Sequence, residues 1–223
     1  MRLSIAIDGP AGAGKSTIAK LIGKKYNLMY INTGSMYRAI TLFAMKKGIE
    51  PEDVEELCNL IETLTMHFEN DDLFVNGIDV SKELTNIEVT NNVSRYAVVP
   101  KVRQMLVKLQ REISQNYDVI MDGRDIGTVV LKDASLKIFL TARAEERANR
   151  RYEELIAKNV KVDYNNILED IKKRDYIDSH REVDPLQKAE DAIEIDSSLM
   201  NIEEVVETIS KYIEKINKQA FNI

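Results

Sequence analysis

Residues 3–7 are apolar almost throughout, the pattern of a strand buried on both faces. The next apolar set, Ile18, Ala19, Leu21, Ile22 and Tyr26, falls at helical spacing. Met36, Ala39, Ile40, Phe43 and Ala44 predict a second helix ended by Gly48, and Val54, Leu57, Cys58, Ile61 and Leu64 a third. The period then changes. Residues 65–70 read as a strand, Asp71-Asp72 as a turn and residues 73–75 as a second strand. Asn76-Gly77 is a hairpin signal, and residues 78–80 follow as a third strand. A small antiparallel lobe is therefore expected at about residues 65–81. Helical spacing returns at Val89 and Val93. From Pro100, a residue suited to a first helical position, it runs through Val102, Met105, Leu106, Leu109 and Ile113. Residues 119–121 and 136–140 read as buried strands. A long helix with Arg143, Arg147, Arg150 and Arg151 follows, its spacing continued by Leu155, Ile167, Leu168 and Ile171 across a polar break at 159–163. Residues 192–195 predict a last strand. Asn201 and Glu204 form a capping box, with Met200 and Val205 as its staple, before a final helix buried through Val205, Val206, Ile209, Ile213 and Ile216. Alternating strands and helices imply an α/β fold with a parallel sheet covered by helices.

Composition narrows the function classes. A chain of 223 residues, 44% hydrophobic and 30% charged, suits one compact domain with an inserted lobe. The net charge of −6 argues against a nucleic-acid scaffold, so cations that meet an anionic ligand must be placed locally. The single cysteine, Cys58, sits among apolar helical positions and reads as a core residue. The first strand starts close to Met1, which leaves no room for a signal peptide, and no apolar run approaches a membrane span. The expectation is a cytoplasmic protein.

The chemistry starts at Gly9-Pro10-Ala11-Gly12-Ala13-Gly14-Lys15-Ser16, the pattern G-x-x-x-x-G-K-[ST] set between a buried strand and an amphipathic helix. Glycines let successive N–H groups turn inward onto phosphate oxygens, and the following helix adds its positive end. Lys15, expected in a solvent-facing loop, would reach the β- and γ-phosphates, and the Ser16 hydroxyl would take a place on Mg²⁺. Asp122 ends an apolar strand, where a carboxylate can hold Mg²⁺ or its waters. Arg124 and Asp125 follow at the same rim, as a phosphate fork or as a surface pair. Arg174, Asp178 and Arg181, spaced i, i+4, i+7, would share one face of a continuous helix. A salt-bridge ladder and a clamp on ribose and phosphate both fit them. Arg143, Arg147, Arg150 and Arg151 form the one dense arginine cluster, a candidate lid over a triphosphate, although interleaved glutamates also suit a solvated face. Residues 33–38, Thr33 to Arg38, open a helix with hydroxyls and an arginine, a second anion site or ordinary capping by Thr33 or Ser35. His67 and His180 are too few and too far apart to suggest a metal site.

Together these segments resemble the bacterial-type cytidylate kinases, P-loop nucleoside monophosphate kinases. The resemblance spans essentially the whole chain: IDGPAGAGKST, through Thr17, NTGSMYR at 32–38, NNVS and PKVR at 91–103, DGRDIGTVV at 122–130, IFLTARAEERANRR at 138–151 and RDYIDSHR at 174–181. It implies a P-loop kinase fold in a single domain over 1–223. That fold has a five-stranded parallel sheet, a monophosphate-binding insert at about 35–100 and a helical lid at about 147–185. It implies transfer of the ATP γ-phosphate to CMP or dCMP with Mg²⁺, by a monomer without nucleic-acid or membrane partners. By position, Ser94, Arg103 and Asp125 would read cytosine, and Arg174 and Asp178 would hold the ribose. Thr33, Arg38, Arg124 and Arg181 would hold the acceptor phosphate. By looser similarity, Arg147 would stack on adenine and Arg151 would clamp phosphates. Two departures stand out: Asn32 where the family has aspartate, and Asp184, before Pro185, where a small residue is usual. A kinase for UMP or another small acceptor is an alternative. A GTPase-like switch would need an N-K-x-D motif, and Asn159 is followed by Val160. A nucleotide-binding partner without turnover would be expected to have lost the arginines.

Overall fold

The computed structural model describes residues 2–221, so Met1 lies outside the described residues. The main sheet has five strands in the order β2-β6-β1-β7-β8: β1 Ser4–Asp8, β2 Met29–Asn32, β6 Val119–Gly123, β7 Leu136–Thr141 and β8 Ile193–Asp196. β1 pairs in parallel with β6 and with β7, and β7 with β8. Ile5, Ala6, Ile7, Ile120 and Met121 are wholly buried, as expected of strands covered on both faces.

The chain divides into two compact units, Met1–Leu28 with Asp118–Ile223, and Met29–Tyr117. In the first, α1 (Lys15–Tyr26) follows β1 and buries Ile18, Ala19 and Ile22, while Leu21, expected inside, stays 41% exposed. The arginine-bearing stretch after β7 is two helices, α6 (Ala144–Ala157) and α7 (Tyr164–His180), where one long helix was expected. The chain turns at Asn159, whose left-handed backbone (φ +56°) stops α6, and Asp163 then caps α7 by accepting from the Asn166 N–H. α8 (Ile202–Phe221) begins with the expected capping box in both directions. Glu204 accepts from the Asn201 N–H at 2.8 Å, and Asn201 from the Glu204 N–H at 2.9 Å.

The second unit holds α2 (Thr33–Lys47), α3 (Val54–Glu62), α4 (Ile87–Ala97) and α5 (Pro100–Asn116). It also carries a three-stranded antiparallel sheet of β3 (Met66–Glu69), β4 (Asp72–Val75) and β5 (Ile78–Asp79). The first hairpin turns at Asn70-Asp71, one residue earlier than expected, because both residues take φ near +49° and +70°, the geometry a tight two-residue turn needs. The second turns at Asn76-Gly77 as expected. Asn32, and not Thr33 or Ser35, caps α2, its side chain accepting from the Ser35 N–H at 3.0 Å. Asparagine keeps that bond in place of the aspartate usual there. Cys58 is half-buried at the edge of the α3 core face, not inside it.

Candidate active site

The phosphate-binding loop is built by β1 and α1. Gly9, Gly12 and Gly14 all have positive φ, and a Cβ on Gly9 would collide with the Leu140 carbonyl oxygen, so the loop can only run this close to β7 with glycine there. Lys15 is the first correction. It is 5% exposed and folds back to donate from Nζ to the Pro10 carbonyl at 2.8 Å, where a solvent-facing side chain was expected. Burial, then the neighbouring charge of Arg124, hold its pKa well below the usual lysine value. Asp122 and Asp8 oppose that shift, and Arg174 adds to it. A lysine held among cations is poised to gain from an arriving anion.

Ser16, in the first turn of α1, donates to Oδ2 of Asp122 at the end of β6, 3.0 Å away. A hydroxyl and a carboxylate one hydrogen bond apart are hard oxygen donors that suit Mg²⁺. No cluster of three or more His, Cys, Asp or Glu is present among the described residues.

Beyond Asp122 the rim of β6 meets α7 and the residue just after it through two crossed ion pairs. Arg124 Nε donates to Asp178 at 2.6 Å, with the side chains 18% and 12% exposed. Arg181 Nη2 stands 3.3 Å from Asp125. Burial raises the Asp178 pKa, but Arg124 and then Arg174 and Arg181 outweigh it and hold the carboxyl below the usual range. The surface pair of Arg124 with Asp125 is thus replaced by pairs to another element. Arg181 lies just past the end of α7 in extended backbone, so the i, i+4, i+7 face does not continue to it. It is held instead by the segment that follows, where its Nε donates to the Asp184 carbonyl at 2.6 Å. Asp184 has φ +50°, a left-handed conformation that aspartate tolerates better than most residues.

Arg143, Arg147, Arg150 and Arg151 do not form one basic face. Arg147 is buried. It donates to the Ala142 carbonyl, to the loop carbonyl of Ala11 at 2.9 Å, and with both terminal nitrogens to Asp175 at 2.9 and 2.6 Å. Its stem lies over Gly12, where an added Cβ would meet the Arg147 Cβ at 3.4 Å. Arg150 holds the Ser197 carbonyl at 2.6 Å. Arg143 precedes α6 and pairs with Glu146, and Arg151 is exposed and pairs with Glu154 at 2.8 Å. Interleaved glutamates and backbone carbonyls therefore absorb the cluster that sequence presents as a single stripe.

In the second unit Thr33 is buried at the start of α2. Arg38 donates to the Leu84 carbonyl at 3.2 Å and to Thr90 Oγ1 at 2.7 Å. Arg103 on α5 is 1% exposed, donates to the Ala97 carbonyl and lies 5.7 Å from the centre of the Tyr37 ring. Ser94 is half-buried on α4. Two residues of the first unit's site escape a reading by motif, Asp8 and Asp175. Asp8 had a signal, since it closes an apolar strand just as Asp122 does. Asp175 had only its place between Arg174 and Asp178.

A family model described as cytidylate kinase matches residues 5–215. A cytidylate kinase of Clostridium acetobutylicum is 66% identical over 96% of this chain and 99% of its own, and one of Clostridium perfringens 61% over 96% and 98%. Among solved structures, shikimate kinase from Bacteroides thetaiotaomicron aligns over 96% of this chain and 99% of its own. Its TM-score is 0.50 and its identity 14%, a likeness of fold alone. The chain belongs to the cytidylate kinase family.

Proposed function

We propose that this protein transfers the γ-phosphate of ATP to CMP or dCMP, giving CDP or dCDP and ADP. An oxygen of the acceptor's 5′-phosphate forms the new bond to the γ-phosphorus as the bond to the ADP oxygen breaks. Gly9 to Thr17 bind the ATP phosphates, Lys15 and Arg151 neutralise charge on the transferring group, and Arg147 meets adenine. Mg²⁺ is held by Ser16 and, largely through water, by Asp122. Thr33, Arg38, Arg124 and Arg181 take the acceptor phosphate, and Arg174 and Asp178 the ribose. Ser94, Arg103 and Asp125 read the base, where a carboxylate accepts from the exocyclic amine of cytosine. The insert at 35–100 serves as the monophosphate-binding lobe and residues 147–185 as the lid. The enzyme works as a cytoplasmic monomer without nucleic-acid or membrane partners, in keeping with a net charge of −6. No described helix is long and apolar enough to cross a membrane.

The observation that carries this reading is the pair of crossed ion pairs, Arg124–Asp178 and Asp125–Arg181, one element away from the Ser16–Asp122 contact. Two cations and two carboxylates that hold one another can be exchanged for a ligand with a phosphate, vicinal hydroxyls and an amine. The test is ADP release from ATP·Mg²⁺ against CMP, dCMP, UMP, AMP and GMP. CMP and dCMP should be turned over, and UMP, which presents an oxygen to Asp125 where cytosine has its amine, should be poorer by up to about 10⁴-fold in kcat/KM. Equal kcat/KM for UMP and CMP would remove the cytosine assignment.

A further inference from the structure

Asp8 is the last residue of β1, buried at 5% exposure immediately before the phosphate-binding loop. Its two carboxylate oxygens accept from two successive backbone amides far away in sequence: Oδ1 from Ile126 N at 2.8 Å and Oδ2 from Gly127 N at 2.7 Å. Those amides open a wide turn, Ile126–Val130, with two bonds that reach five residues back, Val130 N to the Asp125 carbonyl at 3.3 Å and Leu131 N to the Ile126 carbonyl at 2.7 Å, beside one from Val129 N to the Asp125 carbonyl at 2.9 Å. The first N–H groups of any helical turn have no partner within it. Single turns of this wide type are uncommon and concentrate at functional sites. Here Asp8 supplies the missing acceptors from a neighbouring strand, as a cap does from within its own chain segment. The turn begins directly after Arg124 and Asp125, the two rim residues of the crossed ion pairs with Asp178 and Arg181.

The fit leaves little slack. A Cβ at Gly127 would come 3.3 Å from Asp8 Oδ2 and 3.1 Å from Lys137 Cδ, so the close approach of carboxylate and backbone depends on glycine. Burial pushes the Asp8 carboxyl up to about 6, although the amides of Gly127 and Ile126 pull it down. At neutral pH it is therefore still ionised, the form that accepts most strongly from both amides.

We propose that Asp8 is a positioning residue for the acceptor nucleotide: by holding the Ile126 and Gly127 amides it fixes the Arg124–Asp125 rim against the strand that leads into the phosphate-binding loop. The two ends of the reacting pair then share one rigid reference. The inference rests on the assignment of Arg124 and Asp125 to CMP. Asp8→Asn keeps the shape but turns an acceptor into an NH₂ donor that faces an N–H, so one of the two bonds is lost.

The experiment uses the whole enzyme with ATP·Mg²⁺ and CMP. It measures both KM values, kcat, and amide hydrogen exchange across residues 9–16 and 124–130. For Asp8→Asn, kcat/KM toward CMP should fall about 10²-fold, the scale of a misplacement near 1 Å, while KM for ATP stays within about twofold. Exchange should speed up at Ile126 and Gly127 and stay unchanged in the loop. Gly127→Ala, which presses on the same contact from the other side, should act in the same direction and serves if Asp8→Asn does not fold. Parallel rises in both KM values would overturn the proposal, and so would kinetics and exchange like those of the unaltered enzyme. An unaltered enzyme that ignores CMP would instead overturn the functional reading and the acceptor role with it. The exchange rates at Ile126 and Gly127 would still decide whether Asp8 holds the turn.

Discussion

Lys15 combines a cost to the fold with the part in the chemistry proposed for it. Its amine is buried, bonded to one loop carbonyl and surrounded by Arg124 and Arg174 as well as by Asp122 and Asp8. Burying a cation with one neutral partner destabilises the folded state, so the side chain gains its full value only when phosphate arrives. Lys15→Ala should accordingly lower kcat by about 10²–10³-fold, the scale of losing one aimed charge in a transition state. The lost hydrogen bond and the relieved desolvation oppose each other. The melting temperature should therefore stay within about 3 °C, the equivalent of about 1 kcal/mol for a chain of this size. Steady-state kinetics and a thermal melt decide it. A kcat near that of the unaltered enzyme would remove Lys15 from the reaction, and a collapse of the melting temperature would make it a core residue.

At the scale of elements, α7 is tied to the body of the first unit by ion pairs more than by apolar contact. Asp178 is its one buried residue, while Tyr176 and Ile177 stay exposed. Asp175 ties the same helix to Arg147 and, through it, to the loop carbonyl of Ala11. Spacing alone leaves Arg174, Asp178 and Arg181 open to a salt-bridge ladder or to a clamp on ribose and phosphate, and as a ribose ligand Asp178 would be expected to cost at most about 1 kcal/mol on loss, as for an exposed pair. The structure changes that estimate. Asp178 pairs with Arg124 at 2.6 Å and both are largely shielded, so Asp178→Ala strands a guanidinium and should cost about 2–3 kcal/mol. If Asp178 also holds ribose, KM for CMP should rise well beyond KM for ATP, and the penalty should be smaller for dCMP, which lacks the 2′-hydroxyl. A chemical denaturation curve and the two KM values separate the roles, and equal penalties on ATP and CMP would leave α7 a structural strut. The elements themselves were largely legible, because hydrophobic period, Pro100, Gly48, the Asn201–Glu204 box and the Asn76-Gly77 turn are local signals. What period cannot give is the partner across space. Arg124 looks paired to Asp125 in sequence and meets Asp178 instead, 54 residues away. Four arginines that look like one stripe go to separate sets of acceptors. The break that separates α6 from α7 was visible as a polar stretch, but the spacing of Ile167 and Ile171 concealed the reversal.

For the molecule as a whole, Asp8 links stability to pH in a direction opposite to most carboxylates. An acid whose folded-state pKa is raised, here from 3.8 to about 6, holds its proton more tightly in the folded protein than in the unfolded chain. The stability it contributes is fully present below about 3.8, declines as pH rises through about 6, and is gone above that. A shift of that size corresponds to about 3 kcal/mol between the two limits. Asparagine at position 8 does not titrate, so Asp8→Asn should gain about 2 kcal/mol relative to the unaltered protein as pH rises from about 4 to about 7, whatever its stability at either end. Taking the difference between the two proteins removes the groups they share, including the carboxylates whose ion pairs weaken in acid. Urea denaturation at closely spaced pH values measures it, and a flat difference would mean that Asp8 titrates like an exposed aspartate. The sign bears on why the residue is there. Above pH 6 the fold carries an ionised carboxylate at a stability cost, and that ionised form is the stronger acceptor for both amides of the turn behind Arg124 and Asp125. Asparagine would escape that cost of ionisation but would lose one of the two bonds to the turn. Retaining the charge makes sense if the position of that rim, and through it the placing of the acceptor phosphate, is what the cost secures.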